Sequence, residues 1–363
     1  MSWLDDADDD DRELDETDVR VRPNPKANRP RTKRRPAHAD AELARVLAVD
    51  RGRFSLLVGE DTPDERTVLA ARAREPRRRS DATTDRALEL RAQPIVTGDR
   101  VRVVGDTSGA EGTLARIVGI EERRSLLRRS ADDTDQVERI IVAGADQMLI
   151  VVAAADPEPR PRLVDRYLIA ALDAGIHALL VVTKTDLADP AAFLAHFDGL
   201  DDLEVFTSRR GQMPTAEIGL RLIGHSTVFV GHSGVGKSTL VNALVPSADR
   251  ATGHVNEVTG RGRHTSSSTV SLRYRSPDPA HPGTGWVIDT PGVRSFGLGH
   301  VDPANILRAF TDLAEIAEDC PRGCTHLPDA PDCTIAEVVA QGRLGERGPS
   351  RLDSLQRLLA TFA

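Results

Sequence analysis

The sequence is poor in aromatic residues and in cysteine, and it contains no long apolar run. Aromatic side chains make up only 3% of its 363 residues, so aliphatic side chains must form most of any hydrophobic core. Three cysteines are too few for a disulfide framework. No run of about 18 apolar residues is present, which predicts that no segment crosses a membrane. The acidic N-terminus does not match a secretory signal, so a soluble cytoplasmic protein is expected.

Charge is concentrated in blocks rather than spread along the chain. The net charge of −8 includes an acidic segment over residues 5–18, followed by a basic, proline-rich segment over residues 20–35. Such a composition cannot bury enough apolar surface to fold alone, so residues 1–39 are predicted to be a disordered tail. This tail is interpreted either as a plain solvated segment or as an RNA-binding segment whose acidic half shields its basic half.

Residues 40–130 show short apolar stretches separated by turn residues, a pattern typical of a small β-barrel. The predicted strands are 46–49, 54–58, 68–72, 100–104 and 115–120. Five such strands favour an OB-like barrel. The basic stretches 72–79 and 123–129 beside it favour RNA binding over a barrel without a ligand.

The pattern then changes to apolar strands that alternate with helices, which predicts an α/β domain over residues 131–301 with a mostly parallel sheet. Its strands are predicted at 148–153, 178–182, 205–206, 227–230 and 286–288. A helix over residues 162–174 is predicted to connect the first two strands. Residues 302–363 are predicted to form a small, mainly helical domain around a cysteine-rich loop.

The sequence GHSGVGKST matches the complete phosphate-loop pattern and lies between a predicted strand and a helical segment. In such a loop, glycines let backbone N–H groups face the phosphates, Lys237 reaches the β- and γ-phosphates, and the Ser238 hydroxyl binds Mg²⁺. The flanking elements favour a functional loop over a chance match. The predicted nucleotide-binding residues are Gly231, His232, Ser233, Gly234, Val235, Gly236, Lys237, Ser238 and Thr239.

A second motif, DTPG, starts at Asp289 after the last predicted strand. Alone it could be an ordinary turn, but beside a phosphate loop it predicts that Asp289 holds Mg²⁺ and that the N–H of Gly292 contacts the γ-phosphate. Lys237 and Asp289 are therefore predicted catalytic residues. The Gly292 contact would be lost on hydrolysis, so the following segment is predicted to be a switch that leads into the C-terminal domain.

A third motif, TKTD, resembles the guanine-reading element of GTPases. The carboxylate of Asp186 can accept from both N1–H and the exocyclic amine of guanine, whereas adenine has an acceptor at N1, so the motif favours GTP over ATP. Lys184 belongs to the same predicted base site. Thr183 stands where an Asn is usual, which predicts the loss of an amide that braces the loop. Thr207 and Ser208 are expected to supply a backbone donor to the guanine oxygen.

The run TGRGRHTSSST, residues 259–269, lies between the phosphate loop and DTPG and is rich in hydroxyl groups. It is interpreted as a first switch loop, with a plain surface loop as the alternative. Thr265 is the predicted second hydroxyl ligand of Mg²⁺. Val293 occupies the position of the water-orienting Gln of many GTPases, so slow intrinsic hydrolysis is predicted, with His264 as a substitute that a partner must position.

All three cysteines fall in one short loop with a histidine: Cys320, Cys324, His326 and Cys333. Three thiols and one imidazole match a closed tetrahedral zinc site, which would stiffen a loop too polar to fold by burial. The alternative is a set of unconnected thiols with a surface histidine. Because the chain has no cysteine elsewhere, structural zinc is favoured.

The order of the motifs is the most informative feature, because the base-reading motif precedes the phosphate loop, whereas ordinary GTPases have the opposite order. Chain termini often lie close together, so a circularly permuted chain can rebuild the same sheet and site. The order TKTD, GHSGVGKST and DTPG, the GRGRHT run, the Asp146-Gln147 pair and the cysteine cluster together resemble the RsgA (YjeQ) family. The resemblance extends over roughly residues 40–363.

The resemblance implies an OB domain, a circularly permuted P-loop GTPase domain and a C-terminal zinc domain. It also implies a role in late maturation of the small (30S) ribosomal subunit, GTP hydrolysis stimulated by that subunit, and contacts of the outer domains with 16S rRNA. Nothing in the sequence indicates an obligate dimer, so a monomer is expected. The alternatives are an ATP-dependent phosphotransferase and an RNA-binding scaffold that nucleotide only stabilises.

Overall fold

The computed structural model describes residues 38, 40–73, 93–130, 138–248, 269–291 and 296–362. Every element given below lies in one compact unit, Asp40–Ala363. Nearly all of the charged N-terminal segment, most of the basic stretch 72–79 and most of both predicted switch segments lie outside the described residues. In the described part of the chain, no helix has the length and apolar character needed to cross a membrane.

The first strands close into the barrel that the sequence predicts. They are β1 Glu42–Asp50, β2 Arg53–Val58, β3 Arg66–Arg72, β4 Arg100–Gly105 and β5 Ala115–Ile120. The circuit β1-β2-β3-β5-β4 closes because β4 also pairs with β1, and only the β3–β5 pair is parallel. Aliphatic side chains such as Val46, Leu56 and Val101 fill the interior, as the scarcity of aromatic residues requires.

A hairpin that the sequence analysis did not identify follows the barrel. Its strands are β6 Leu126–Ser130 and β7 Glu138–Ala143, paired antiparallel. Leu127 and Val142 are buried in the same cluster as the next strands of the chain rather than in the barrel interior. The basic stretch 123–129 therefore leads directly into a packed element.

The next part of the chain forms a mostly parallel sheet. Its strands are β8 Gln147–Ala153, β9 His177–Thr183, β10 Glu204–Thr207, β11 Ser226–Gly231, β12 Val270–Arg275 and β13 Thr284–Asp289. The order is β10-β9-β8-β11-β13-β12, with only β12 antiparallel to its neighbour β13. The five predicted strands fall within β8, β9, β10, β11 and β13, whereas β12 was not predicted. The apolar strands pack helices on both faces.

The helices of this part are α1 Pro161–Asp173, α2 Ala191–Leu194, α3 Thr215–Leu222 and α4 Lys237–Leu244. Helix α1 connects β8 to β9, as predicted, and begins one residue earlier than the predicted range. Proline at its first position fits this start, because that residue's missing N–H would have no partner within the helix. The buried side chains of α1, including Val164, Tyr167 and Leu168, pack against the sheet.

Strand β12 also joins the barrel to this sheet. Ala48 of β1 pairs antiparallel with Val270 at the start of β12, so one sheet of 11 strands runs from β10 through the parallel strands into the barrel. The barrel is therefore attached by backbone pairing to the strand that directly follows the first predicted switch loop.

The C-terminal part is helical, as predicted: α5 Pro303–Ala309, α6 Thr311–Ala317, α7 Thr334–Ala340 and α8 Gly348–Leu359. Its core includes Ile169 of α1. Arg351 of α8 bonds to Asp201 and to Asp312 of α6, and Arg357 of α8 pairs with Asp165 of α1 at 2.8 Å. Helix α8 thus anchors the C-terminal helices on α1 and on the segment between TKTD and β10.

Candidate nucleotide-binding site

Three sequence motifs meet at one edge of the parallel sheet. TKTD begins at the last residue of β9, the phosphate loop begins at the end of β11, and DTPG begins at the last residue of β13. These strands are neighbours in the order β9-β8-β11-β13, so their ends span roughly 14 Å at the usual strand spacing. Ligands of open α/β sheets bind outside the carboxyl ends of the strands. This edge is therefore the candidate nucleotide site.

Glycines shape the phosphate loop between β11 and α4. A Cβ added to Gly231 would run into the carbonyl oxygen of Val151 on β8, so only glycine allows this close approach. Gly236 has a φ of +93° directly before α4, a left-handed conformation that side chains disfavour. These two residues turn the chain so that the first N–H groups of α4 face the loop, where they favour an anion. Ser238 and Thr239 are exposed at this end of the helix.

Lys237 and Asp289, the two predicted catalytic residues, are in direct contact. Nζ of Lys237 donates to Oδ1 of Asp289, and the two side chains are only 9% and 15% exposed. The hydroxyl of Thr290 donates to the carbonyl of Phe229 at 2.7 Å, which fixes the end of β13 to β11. The cation predicted to bind phosphate and the carboxylate predicted to bind Mg²⁺ therefore lie side by side. A Mg²⁺ nucleotide would offer each of them an opposite charge.

The base-reading motif is braced against the phosphate loop by Thr183. Its hydroxyl lies 2.6 Å from the carbonyl of Val235 and 3.2 Å from that of Val152, and the residue is buried. One hydroxyl proton serves one acceptor at a time, and the shorter contact joins TKTD to the phosphate loop. The amide that is usual at this position is absent, and the threonine hydroxyl makes a bracing bond of its own.

The remaining residues of the predicted base site lie around Asp186. Its carboxylate is exposed and accepts from the backbone N–H of Arg210 at 3.1 Å. The N–H of Thr185 donates to the carbonyl of Ser208, and the N–H of Ser208 donates to Val182 at 2.8 Å. These two bonds join Ser208, in the loop after β10, to β9 and to TKTD. Donation from Thr207 or Ser208 to the guanine oxygen stays a prediction.

Lys184 and Thr207 complete the predicted base site. Lys184 has a φ of +56°, and its ammonium group donates to the carbonyl of Asp156 in the loop after β8. Thr207 is the exposed last residue of β10 and pairs with Val182 of β9. Three separate loops, after β8, β9 and β10, are thus held together by backbone and side-chain bonds around the carboxylate of Asp186.

Comparison with known proteins agrees with this geometry. A family model described as RsgA GTPase matches residues 120–299. Small ribosomal subunit biogenesis GTPase RsgA 1 of Vibrio vulnificus is 35% identical over 278 residues, which cover 75% of each chain. Small ribosomal subunit biogenesis GTPase RsgA of Azotobacter vinelandii is 36% identical over 275 residues, 74% of this chain and 75% of the relative. The chain belongs to the RsgA GTPase family.

Two solved structures share the fold. The crystal structure of YjeQ from Thermotoga maritima covers 88% of this chain and 98% of its own, with a TM-score of 0.58 and 21% identity. A structure described as YloQ, a circularly permuted GTPase, covers 91% of this chain and 99% of its own, with a TM-score of 0.57 and 21% identity. The permuted order of motifs inferred from the sequence is thus a property of the fold.

Membership of the RsgA family makes this protein a GTPase whose nucleotides are GTP and GDP and whose metal is Mg²⁺. The alternative of an ATP-dependent phosphotransferase is therefore set aside. Among the residues predicted to serve this RsgA site, His264, Thr265, Gly292 and Val293 lie outside the described residues.

The predicted zinc ligands form a compact cluster between α6 and α7. The ligand atoms of Cys320, Cys324, His326 and Cys333 all lie within 4.8 Å of one another. The Sγ atoms of Cys320 and Cys333 lie 3.7 and 3.8 Å from Nδ1 of His326. A tetrahedron with bonds of about 2.3 Å has edges of roughly 3.8 Å, so the four side chains fit one zinc ion.

The surroundings of these ligands oppose charge on Cys333 and favour it on Cys320. Burial raises the pKa of the Cys333 thiol to about 11 and lowers that of His326, which favours the neutral imidazole that binds metals. Burial also disfavours the Cys320 thiolate, but hydrogen bonds from Ile335 and Thr334 outweigh it and lower the pKa of Cys320. A dication would favour thiolate at all three cysteines.

Two contacts between the strands that carry the site were not found from the sequence. Asp146 and Gln147 carry part of the family resemblance, and the structure gives them a role at the amino end of the sheet. Asp146 accepts from the N–H of Ser226, and Gln147 accepts from the hydroxyl of Thr227, both at 2.8 Å. These bonds join the start of β8 to that of β11. Because the partners are 80 residues apart, no local pattern reveals them.

Asp186→Asn is expected to lower GTP affinity by about 10²-fold or more and to remove the preference for GTP over ATP. The variant replaces a charged acceptor with an amide whose N–H groups oppose the donors of guanine, and a site built for those donors discriminates strongly. Xanthosine triphosphate has a carbonyl at C2 and should regain affinity for the Asn variant. Equilibrium binding of the three nucleotides checks this.

The matched control is Asp189→Asn, in the loop that follows TKTD. Oδ1 of Asp189 accepts from the N–H of Ala191 at the start of α2, and an Asn side chain serves equally well in that position. Nucleotide affinity should stay unchanged in this control. An Asp186→Asn protein that kept the original GTP preference would rule out Asp186 as the base-reading residue.

Proposed function

We propose that this protein is a GTP-hydrolysing switch that binds the small (30S) ribosomal subunit and assists its late maturation, with hydrolysis stimulated by the subunit. The proposal rests on one combined observation. The three nucleotide motifs lie at one edge of the sheet, where the Lys237–Asp289 contact joins two of them, in a chain whose relatives over three quarters of its length are named small ribosomal subunit biogenesis GTPases. A slow intrinsic rate fits a switch that waits for its partner.

In the proposed mechanism, Lys237 and the N–H groups at the start of α4 bind the β- and γ-phosphates. The hydroxyl of Ser238, which is exposed beside them, would hold Mg²⁺ together with the hydroxyl of Thr265 and the carboxylate of Asp289, and the metal would compensate the charge of the phosphates. Gly292 contacts the γ-phosphate and releases it on hydrolysis. His264 orients the attacking water once the ribosomal partner has positioned it.

Asp186 is proposed to bind the guanine base, since its carboxylate is exposed at the same edge of the sheet. Thr183, Lys184, Thr207 and Ser208 position the loops around it. The exposed side of Asp186 is where a base can approach without displacing packed side chains. This arrangement supports GTP selectivity through two hydrogen bonds to one carboxylate.

The barrel, residues 40–130, and the zinc-binding domain, residues 302–363, are proposed to contact 16S rRNA. Support in the barrel comes from the exposed side chains of Arg51, Arg53 and Arg116, because arginine contacts with phosphates supply most of the affinity for nucleic acid. One structural zinc ion at the cysteine cluster would fix the shape of the helical domain. The protein is proposed to act in the cytoplasm as a monomer.

The test is GTP hydrolysis by the purified full-length protein with Mg²⁺, measured with and without purified 30S subunits in moderate salt. We expect the subunit to raise the rate by at least about 10-fold, since positioning a catalytic group commonly contributes more than that. The 50S subunit at the same concentration is the control. Binding to 30S subunits without any increase in hydrolysis would contradict a subunit-stimulated switch.

A further inference from the structure

The hairpin formed by β12 and β13 connects the two predicted switch segments. Strand β12 begins at Val270, directly after the first of them, and β13 ends at Asp289, where DTPG begins. A small shift of this hairpin therefore moves the ends of both segments and the carboxylate that contacts Lys237. The barrel touches the hairpin in two separate places.

The first contact is a cluster around Glu60, in the turn between β2 and β3 of the barrel. Its Oε1 accepts from the indole N–H of Trp286 on β13 at 2.7 Å and lies 3.5 Å from Nη1 of Arg273 on β12. The same carboxylate accepts from Arg45 at 3.2 Å and from Arg100 at 2.9 Å, both in the barrel. One carboxylate, only 13% exposed, thus joins the barrel to both strands of the hairpin.

The charges in this cluster depend on Glu60. The guanidinium carbons of Arg45 and Arg273 lie 4.7 and 4.8 Å from the centre of the Trp286 ring, where the ring attracts cations. Arg45 is buried, and burial lowers its pKa while the charge of Glu60 opposes that change. Asp61 also pairs with Arg273 and the Ser226 hydroxyl accepts from Arg45. Glu60 is the acid that contacts both guanidinium groups.

The second contact lies at the start of β12. The hydroxyl of Thr97, near the end of the long β3–β4 connection, donates to the carbonyl of Thr269 at 3.0 Å. The next residue, Val270, pairs with Ala48 of β1. The barrel therefore holds the hairpin both at its middle and at the residue where the first switch loop ends.

We propose that Glu60 is a positioning residue for GTP hydrolysis: it sets the position of the β12–β13 hairpin and, through it, of Asp289 and of the residues where the two predicted switch segments meet this hairpin. GDP is held by the phosphate loop and the base-reading motif, which do not contact Glu60, whereas hydrolysis requires the switch segments and the metal. Loss of Glu60 should therefore affect hydrolysis and leave GDP affinity intact. The inference rests on the GTPase activity of the family and does not depend on a ribosomal partner.

The test is Glu60→Gln in the full-length protein. Glutamine keeps the side-chain length and an oxygen that can accept from Trp286, but it removes the charge that compensates three arginines. The expected result is a single-turnover rate of GTP hydrolysis lowered at least about fivefold, the lower end of typical coupling between distant sites, with GDP affinity unchanged. The control is Glu121→Gln, which removes the charge from a 2.6 Å ion pair with Arg102 on the exposed surface of the barrel and leaves the hairpin contacts intact.

A second pair of variants covers the case in which Glu60→Gln does not fold. Thr97→Val removes the bond to Thr269 at the other contact and should give the same selective loss of hydrolysis, whereas Thr97→Ser keeps the hydroxyl and should restore the rate. A rate within about twofold of the original protein in folded Glu60→Gln and Thr97→Val would overturn the proposal. A parallel fall of hydrolysis and GDP affinity would also overturn it, because that pattern indicates general damage.

Discussion

Lys237→Ala is expected to lower the single-turnover rate of GTP hydrolysis by about 10²- to 10³-fold, the range found when one preorganised charge is removed from a transition state. The ammonium group lies at the start of α4 in contact with Asp289, and both side chains are largely buried. Without it, the phosphate loop keeps its backbone N–H groups but loses its only lysine, and the charge that develops during transfer is less well compensated.

The structure adds a consequence for stability. Removal of Lys237 leaves the carboxylate of Asp289, whose side chain is only 15% exposed, without its cation. Lys237→Ala is therefore expected to lower the unfolding temperature, unless Mg²⁺ is present to compensate the carboxylate. Ser238→Ala is the matched variant, because Ser238 is exposed and its hydroxyl is proposed to bind the metal. It should lose hydrolysis without a change in stability.

The control for these measurements is Arg221→Ala. Arg221 of α3 forms an exposed ion pair with Glu204 on the edge strand β10, and exposed pairs contribute little to stability. Its hydrolysis rate should equal that of the original protein. If Ser238→Ala retained full activity at saturating Mg²⁺, the assignment of this hydroxyl to the metal would be wrong.

Removal of zinc, or Cys333→Ser, is expected to unfold the segment between α6 and α7 while nucleotide affinity stays within about threefold. Residues 318–333 contain no helix or strand, so we expect their order to depend largely on the four proposed zinc ligands. Apparent zinc-binding free energies of about 10 to 16 kcal/mol in small zinc domains show how much such a site can contribute to folding. Hydrogen exchange of this segment, before and after chelation, measures the effect.

We expect nucleotide affinity to survive the loss of zinc because α1 is packed on two sides. The C-terminal core reaches α1 through Ile169, but the opposite face of α1 packs against the parallel sheet through Val164, Tyr167 and Leu168. The control is Asp329→Asn, an exposed residue of the same loop outside the cluster, which should retain one zinc ion per chain. If protein that was purified in the absence of chelators contained no zinc, the assignment of the cysteine cluster as a zinc site would be wrong.

The connections of the switch segments differ on the two sides of the nucleotide site. On one side, β12 pairs directly with β1 of the barrel. On the other side, the chain after DTPG first passes Phe296, which is fully buried and lies edge-on to Tyr167 of α1 with ring centres 5.7 Å apart. The chain is thus anchored on α1 before it reaches the cysteine cluster. The barrel is the region more directly attached to a switch-bearing strand.

The sequence by itself determined the chemistry of the site and the order of its parts. Glycine, lysine and hydroxyl residues at fixed spacing predict a phosphate loop because backbone geometry and side-chain reach act over a few residues. The same holds for the alternating strands of the barrel, the apolar strands β8 and β9, and the cysteine cluster. Each of these signals is local, and each lies in the part of the chain where the structure shows the matching element.

Only the tertiary structure decided which distant residues act together. The contact between Glu60 and Trp286 joins positions 226 residues apart, and Thr183 reaches Val235 across 52 residues. Strand β12 was not predicted from the sequence, because its pairing with β13 and β1, rather than its own residue pattern, defines it as a strand. Hydrogen bonds and ion pairs between distant segments depend on how the strands are ordered in the sheet, and that order is set by the packing of the whole chain.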